Sequence, residues 1–156
     1  PPPPPPPPPV FFFHAEHAKP DPLWSRGLGD VYKRQIMDGS TVVIGPPDGN
    51  MRSYIDSLNK LFKYKIDYFA PGHGNFMHHP KKTIESIIRH RLSREAKVVR
   101  KLEDSGETNL EALTALVYDD VSEHLHPIAK FSLEAHLIKL LEEGIIKKDK
   151  NNFTKI

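Results

Sequence analysis

A histidine between two glycines, at the junction of a predicted strand and a predicted helix, constrains the fold of this chain most. The tetrapeptide Pro71-Gly72-His73-Gly74, here called the His73 loop, follows the apolar run 66–70 and precedes a helix start at Pro80. Pro71 lacks a backbone N–H, so the strand ends there, and the glycines allow a close approach of the backbone. Ligands of α/β sheets bind at the carboxyl ends of strands. The pattern therefore predicts a metal or substrate site at His73 or, alternatively, a tight turn with a solvated imidazole.

Predicted elements alternate before the His73 loop. The β-branched run 41–44 and the apolar run 66–70 each predict a strand. Between them, apolar residues recur at helical spacing over 51–62, with Asp48 or Asn50 as the N-cap. A strand, a helix and a strand with this connection predict a parallel βαβ unit.

Three helices and a hairpin are predicted after the His73 loop. Pro80 suits the first position of a helix, and glycines suit the ends of helices. A capping box at 108–111 is typical of a helix start. The helices are expected from Pro80 to about Gly106, from 108–111 to about Tyr118, and from His126 to Gly144, followed by a hairpin over 145–156.

The first 35 residues differ from the rest of the chain. Nine prolines open it, and eleven of its sixteen prolines lie before residue 36. As a functional segment, such a run would form a polyproline rod that binds proline-recognising domains. Residues 25–35 are, however, the in-frame translation of a common transposase sequencing adapter. We therefore interpret residues 1–35 as a disordered sequencing-adapter artefact and leave them out of the fold argument.

Charge and composition exclude several classes of protein. Residues 36–156 hold 18 basic and 17 acidic side chains, although 81–103 carries eight Lys or Arg against three Glu. Nucleic-acid binding is thus favoured only locally. The absence of cysteine excludes disulfides and thiolate zinc sites and is compatible with a cytoplasmic location. No apolar run approaches the roughly 18 residues of a membrane span, so no membrane partner is expected.

Several motifs, taken in order, resemble one known family. They are the stretches 36–44 and 46–51, the His73 loop, and the stretches 90–95 and 125–137. In this order they resemble the metallo-β-lactamase superfamily, in particular its beta-lactamase-like protein 2 group of hydrolases and endoribonucleases. The resemblance covers residues 36–156 almost continuously.

The resemblance implies an α/β (α+β) fold in two parts. Residues 36–88 would form the C-terminal part of a metallo-β-lactamase αββα sandwich, and residues 89–156 a small winged-helix domain. The chain would then be a piece of a longer protein, because the family's His-x-His-x-Asp-His motif would lie upstream and does not occur here.

The resemblance assigns His73 as the last ligand of a site for two zinc ions. Zinc there acts as a Lewis acid and supplies a hydroxide near neutral pH. The family's bridging aspartate would stand at position 34, where this chain has Arg34. His14 and His17 have the spacing of a ligand pair but lie in the segment interpreted as an artefact. No catalytic residue is assigned, and the chain alone is expected to be inactive.

Three residues of the long predicted helix are candidates for substrate binding. His90, Arg91 and Arg94 recur in the resembled family and would form an electropositive wall for a phosphate-bearing substrate. The alternative is a surface helix with i, i+4 ion pairs, for example Arg91 with Glu95.

Three other histidines are expected to have structural roles. For His78 and His79, just after the His73 loop, a metal role is open, but a solvated helix start is preferred. His136 lies beside an apolar stripe and is expected to be packed rather than to bind a metal.

A winged helix commonly reads DNA with its third helix. Here that helix offers Lys130 and Lys139 among mostly apolar and acidic residues, so it lacks the donors that base readout needs. The hairpin lysines could contact phosphates without reading bases, and they are Lys147, Lys148, Lys150 and Lys155. Sequence-specific DNA binding is therefore not expected. The resemblance implies instead that this module packs on the hydrolase domain and helps shape the substrate cleft.

Three functions follow as hypotheses. The first is a zinc-dependent hydrolase with single-stranded RNA as its substrate. The second is a thioester or lactone hydrolase on the same fold, because a fold does not determine its substrate. The third is a winged-helix nucleic-acid-binding module.

Overall fold

The computed structural model describes residues 36, 42–69 and 75–156. The segment interpreted as an artefact and the His73 loop lie outside these residues, as does position 34. The described part holds helices α1 (Met51–Leu61), α2 (Pro80–Ser105), α3 (Leu110–Val117) and α4 (His126–Glu142), strands β1 (Thr108–Asn109), β2 (Ile146–Asp149) and β3 (Asn152–Lys155), and a 3-10 turn at Glu123–Leu125.

Helix α1 begins as the sequence predicts. The side chain of Asn50 accepts a hydrogen bond from the backbone N–H of Ser53 at 2.9 Å, which identifies Asn50 rather than Asp48 as the N-cap. The preceding turn closes through a hydrogen bond of 2.8 Å from the N–H of Gly49 to the carbonyl of Gly45. A Cβ on Gly49 would lie 2.6 Å from the nitrogen of Gly45, so the turn requires glycine there.

The predicted parallel strand pair is not formed in the described residues. Residues 42–45 belong to no strand, and Phe69 makes only an isolated antiparallel bridge with Met77. A parallel pair needs neighbouring strands and cover on both faces, and the described residues supply no third strand beside it. Ile44 and Ile66 instead pack in the core that α1 and α2 build.

Helix α2 confirms the prediction at both ends. Pro80 occupies the first turn, and Gly106 ends the helix with φ +69° while its N–H donates to the carbonyl of Leu102 at 3.0 Å. The helix continues without a break past residue 88. The domain boundary placed there stays a prediction.

The C-terminal part has the winged-helix order of elements. Its sheet has the strand order β1-β3-β2, and both pairs are antiparallel. The predicted hairpin is confirmed, with Lys150 at φ +51° in its turn. The helix cap lies one residue later than the predicted capping box. Thr108 pairs with Phe153 as part of β1, and Asn109 caps α3 by accepting from the N–H of Ala112 at 3.0 Å.

Two hydrophobic cores share α2 and α4. The first core is built on α1 and consists of Ile36, Ile44, Met51, Tyr54, Ile55, Leu58, Leu61, Ile84 and Ala135. The second core lies in the winged-helix part and consists of Val98, Leu102, Leu113, Val117, Tyr118, Leu133, Leu137, Leu140, Ile146 and Phe153. Because α2 supplies Ile84 to one core and Leu102 to the other, it joins the two.

Among the described helices, none is both long enough and apolar enough to span a membrane.

Candidate functional site

The segment that carries His73 is anchored at both of its ends. The backbone N–H of Phe69 donates to the carbonyl of Met77 at 3.0 Å, and the N–H of Met77 donates back at the same distance. His73 itself lies outside the described residues, so its assignment as a metal ligand stays a prediction.

His78 and His79 lie at the start of α2, as expected. Both are exposed. The carbonyl of His79 accepts hydrogen bonds from the backbone N–H and the hydroxyl of Thr83, at 3.0 and 3.2 Å, while its imidazole does not cap the helix.

The described residues do not form a metal centre. They contain no group of three or more His, Asp or Glu side chains placed to hold an ion. A catalytic zinc site needs about three protein ligands. Residues 36, 42–69 and 75–156 therefore do not by themselves fit the zinc pair that the resemblance implies. No catalytic step is assigned to a metal held by these residues.

Arg91 faces inward. It is 4% exposed, its guanidinium donates from Nη2 to the carbonyl of Val42, and its Cζ lies 5.5 Å from the ring centroid of Tyr54. Its Nε is buried without a hydrogen-bond partner among residues 36, 42–69 and 75–156. Arg91 thus ties α2 to the segment before α1 and to α1 itself, and its assignment to substrate binding stays a prediction.

Arg94 holds the turn that follows α3. Its Nη1 and Nη2 donate to the two carboxylate oxygens of Asp120 at 2.7 and 2.9 Å, and Nη1 also donates to the carbonyl of Val117 at 2.8 Å. Its Cζ lies 4.5 Å from the ring centroid of Tyr118. These hydrogen bonds from Arg94 hold the pKa of Asp120 well below its usual range. The guanidinium is therefore engaged within the protein.

His90 is the exposed member of the three predicted substrate-binding residues. Partial desolvation lowers its pKa, and the nearby charges of Arg91 and Arg94 lower it further. Its imidazole is therefore neutral near pH 7 and offers one donor and one acceptor rather than a positive charge.

A charged cluster between α2 and α4 was not foreseen from the sequence. Glu95 accepts from His136 Nδ1 at 3.3 Å and from Lys139 Nζ at 2.7 Å. Lys139 also donates to Glu143 at 3.0 Å, and Arg52 of α1 lies 3.2 Å from the same carboxylate. Glu95 therefore bonds to α4, whereas the sequence suggested Arg91 as its partner. These partners lie more than 40 positions apart, and no local pattern reveals such pairs.

His136 is packed, as predicted. It is fully buried, and its Nε2 has no hydrogen-bond partner in the part of the chain that the structure describes. Because Nδ1 donates to a carboxylate, the neutral imidazole carries its proton there and leaves Nε2 as an unpaired acceptor.

The cations of α4 are also engaged within the protein. Lys130 pairs with Glu111 and Lys139 with Glu95. The exposed side chains of this helix include the apolar Ile128 and Phe131, each 50% exposed. These features give α4 few free donors for base readout.

Residues 110–154 match the family described as the beta-lactamase associated winged helix domain. A beta-lactamase-like protein 2 homolog of Drosophila melanogaster is 34% identical over 100 residues, covering 63% of this chain and 34% of the fly protein. The Caenorhabditis elegans homolog is 24% identical over 98 residues, covering 63% of this chain and 33% of that protein. This chain spans about a third of the length of these curated relatives.

Two solved structures share the fold. A metallo-beta-lactamase family protein of Thermus thermophilus matches with a TM-score of 0.68 and 16% identity, over 79% of this chain and 40% of that one. A beta-lactamase domain protein of Burkholderia ambifaria matches with the same TM-score and coverage at 15% identity. Sequence and fold matches together confirm the predicted resemblance to the beta-lactamase-like protein 2 group of the metallo-β-lactamase superfamily, and residues 110–154 match its associated winged-helix domain.

Proposed function

We propose that this chain is part of a zinc-dependent hydrolase that cleaves single-stranded RNA phosphodiesters. The observation that carries the proposal is the relationship to the beta-lactamase-like protein 2 homologs, which the shared fold supports. We propose that the protein carries out this function in the cytoplasm.

In this proposal His73 is the metal ligand that the chain contributes. The longer protein would supply the other ligands of two zinc ions, and the ions would contribute Lewis-acid chemistry at that site. The described residues have a supporting role. The bridge between Phe69 and Met77 fixes both ends of the segment that carries His73, and pre-organised ligands hold a metal in a defined geometry.

The predicted substrate-binding residues divide into two roles in this proposal. His90 contacts the substrate through its exposed, neutral imidazole. Arg91 and Arg94 position the surfaces around it, because their guanidinium groups hold Val42 and the turn at Asp120. The winged-helix domain packs along α2 and shapes the cleft rather than reading DNA bases.

The test of His73 uses the longer protein with its upstream histidines. We expect His73→Ala to remove bound zinc and to abolish cleavage of single-stranded RNA. The circular dichroism spectrum of the variant should show that the winged-helix part stays folded. His124→Ala is the matched control, since it removes an exposed imidazole from the 3-10 turn. Unchanged zinc content and turnover in the His73 variant would contradict the assignment. Cleavage of a thioester or a lactone instead of RNA would favour the second hypothesis.

The same assays on the 156-residue chain alone should show weak zinc binding and no turnover. The reason is that His73 is one ligand where a catalytic site needs about three. Chelator-sensitive turnover at the level of the longer protein would show that the chain holds a complete site.

A further inference from the structure

A cavity of about 280 Å³ lies between the end of α1 and the start of α2. Apolar side chains of Leu61, Ile66 and Ile84 line it, and Lys63, Lys65 and Lys81 stand around it. We call the three lysines the lysine rim. No acidic residue of the described part of the chain lines the cavity.

The positive charges of the lysine rim are not neutralised by ion pairs within the described part of the chain. All three side chains are exposed, and none is paired with a carboxylate in residues 36, 42–69 and 75–156. Lys97 and Lys139, by contrast, are held in ion pairs. Like charges that gather around one cavity repel each other and attract an anion. The first turn of α2 at Pro80 adds the positive end of a helix dipole to the same wall.

An exposed aromatic pair lies close to the lysine rim in the chain. The rings of Tyr68 and Phe76 are 56% and 63% exposed, and they meet edge to face with centroids 5.6 Å apart. Tyr68 and Phe76 each precede one residue of the bridge between Phe69 and Met77, which brings their two segments together. Tyr68 follows Lys65 by three positions, so their Cα atoms lie within about 11 Å. Large exposed apolar groups held in this way commonly mark a binding surface.

We propose that the lysine rim and the Tyr68–Phe76 pair form a binding site for single-stranded RNA that does not include the predicted metal ligand. Backbone phosphates lie at the three lysines, and an unstacked base packs against the exposed rings. Cations that follow the backbone and aromatic rings that stack bases are the combination used by single-strand binding sites. A duplex cannot use the rings in this way, because its bases are already stacked. The choice of RNA rests on the proposed function.

The experiment measures binding of the 156-residue chain to a fluorescent single-stranded RNA of about 12 nucleotides, a length within the usual site size. Anisotropy is recorded over a series of salt concentrations without added metal. The triple variant Lys63→Gln, Lys65→Gln, Lys81→Gln should lower the slope of log K against log salt by about 2, since each single-strand phosphate contact contributes about 0.7. Phe76→Ala should weaken binding about tenfold at an unchanged salt slope, because it removes stacking and no charge.

The matched control removes the same charge from the hairpin. Lys147→Gln, Lys148→Gln, Lys150→Gln should leave affinity and salt slope as they were. Circular dichroism confirms that each variant is folded. Equal losses in the two triple variants would show general electrostatic attraction and overturn the site, and a loss confined to the hairpin variant would favour the winged-helix binding module. Equal affinity for duplex RNA, competition by stoichiometric inorganic phosphate, or no binding at all would also overturn it.

This outcome is separable from that of the proposed function. If RNA binds at the lysine rim but the longer protein does not cleave it, the proposed hydrolase activity is refuted and the proposed binding site is retained. If the lysine rim variant of the longer protein cleaves RNA in a zinc-dependent reaction with unchanged affinity and rate, the binding site is refuted and the proposed hydrolase is retained.

Discussion

Single charged residues join the helices of this protein. Glu95 would have a raised pKa from burial alone, but the hydrogen bonds from His136 and Lys139 outweigh burial and lower it. Burial lowers the pKa of His136, although the contact with Glu95 opposes that shift. Protonating His136 would also place a new N–H at Nε2, where no acceptor among the described residues lies within hydrogen-bond distance. The neutral imidazole is therefore the form that fits the fold.

The stability of the chain should decrease as the pH falls below about 6.5, the usual pKa of an unfolded histidine. Because the folded pKa of His136 is lowered, the unfolded state takes up the proton first, and folding loses free energy until the pH passes the folded pKa. His136→Gln keeps a donor for Glu95 and removes the titration. We expect it to flatten the dependence of the free energy of unfolding on pH between about 7 and 5. Urea denaturation at several pH values measures this.

The exposed histidine at position 124 provides the control for that experiment. His124→Gln removes an imidazole from the surface without touching Glu95. If the slope with pH were the same in the His136 variant and in the unmodified chain, His136 would not be the group that titrates.

Short polar side chains set where the helices begin. Asn50 and Asn109 each accept a hydrogen bond from a backbone N–H of the first turn, at 2.9 and 3.0 Å. Replacing Asn109 by Ala should lower the free energy of unfolding by about 1 kcal/mol, and replacing it by Asp should restore most of the loss. Asn151→Ala in the exposed hairpin turn is the matched control. A loss of similar size at Asn151 would contradict a capping role, and thermal denaturation would detect it.

The sequence predicts elements better than it predicts contacts between them. Asn50, Pro80 and Gly106 mark helix ends by local chemistry, so all four helices agree with the prediction to within a residue or two at their ends. Thr108 looks like a cap in the sequence because its pairing partner, Phe153, lies far away in the chain. The run 66–69 looks like a paired strand for the same reason, since a strand also depends on its neighbours. The inward position of Arg91 depends on Val42 and Tyr54, which no helical period reveals.

At the scale of the whole molecule, the two cores are unequal. The second core is closed by helices and a sheet, whereas the first core depends on α1 packing against α2 and α4. Arg52 of α1 adds contacts with Glu142 and Glu143 at the end of α4. The first core therefore rests on helices that the second core holds in place.

Cavity-forming substitutions should show this dependence. Leu137→Ala, at 1% exposure in the second core, should cost about 2–5 kcal/mol and reduce hydrogen-exchange protection in α1 as well as in α4. Leu58→Ala, equally buried in the first core, should reduce protection in α1 and leave α4 protected. Hydrogen exchange followed by NMR distinguishes the two patterns. Loss of protection in α4 on Leu58→Ala would contradict the dependence of the first core on the second.

Helix α2 also connects the two cores as one rigid element, so a tilt at one end displaces the other end. Eighteen residues separate Ile84 in one core from Leu102 in the other, which at the rise of an α-helix is a rigid arm of about 27 Å. A tilt of about 5° at the winged-helix end would move the opposite end by about 2 Å. That end begins at Pro80, six positions after the His73 loop. Any partner that shifts the winged-helix part would therefore reposition the neighbourhood of the predicted metal ligand without contacting it.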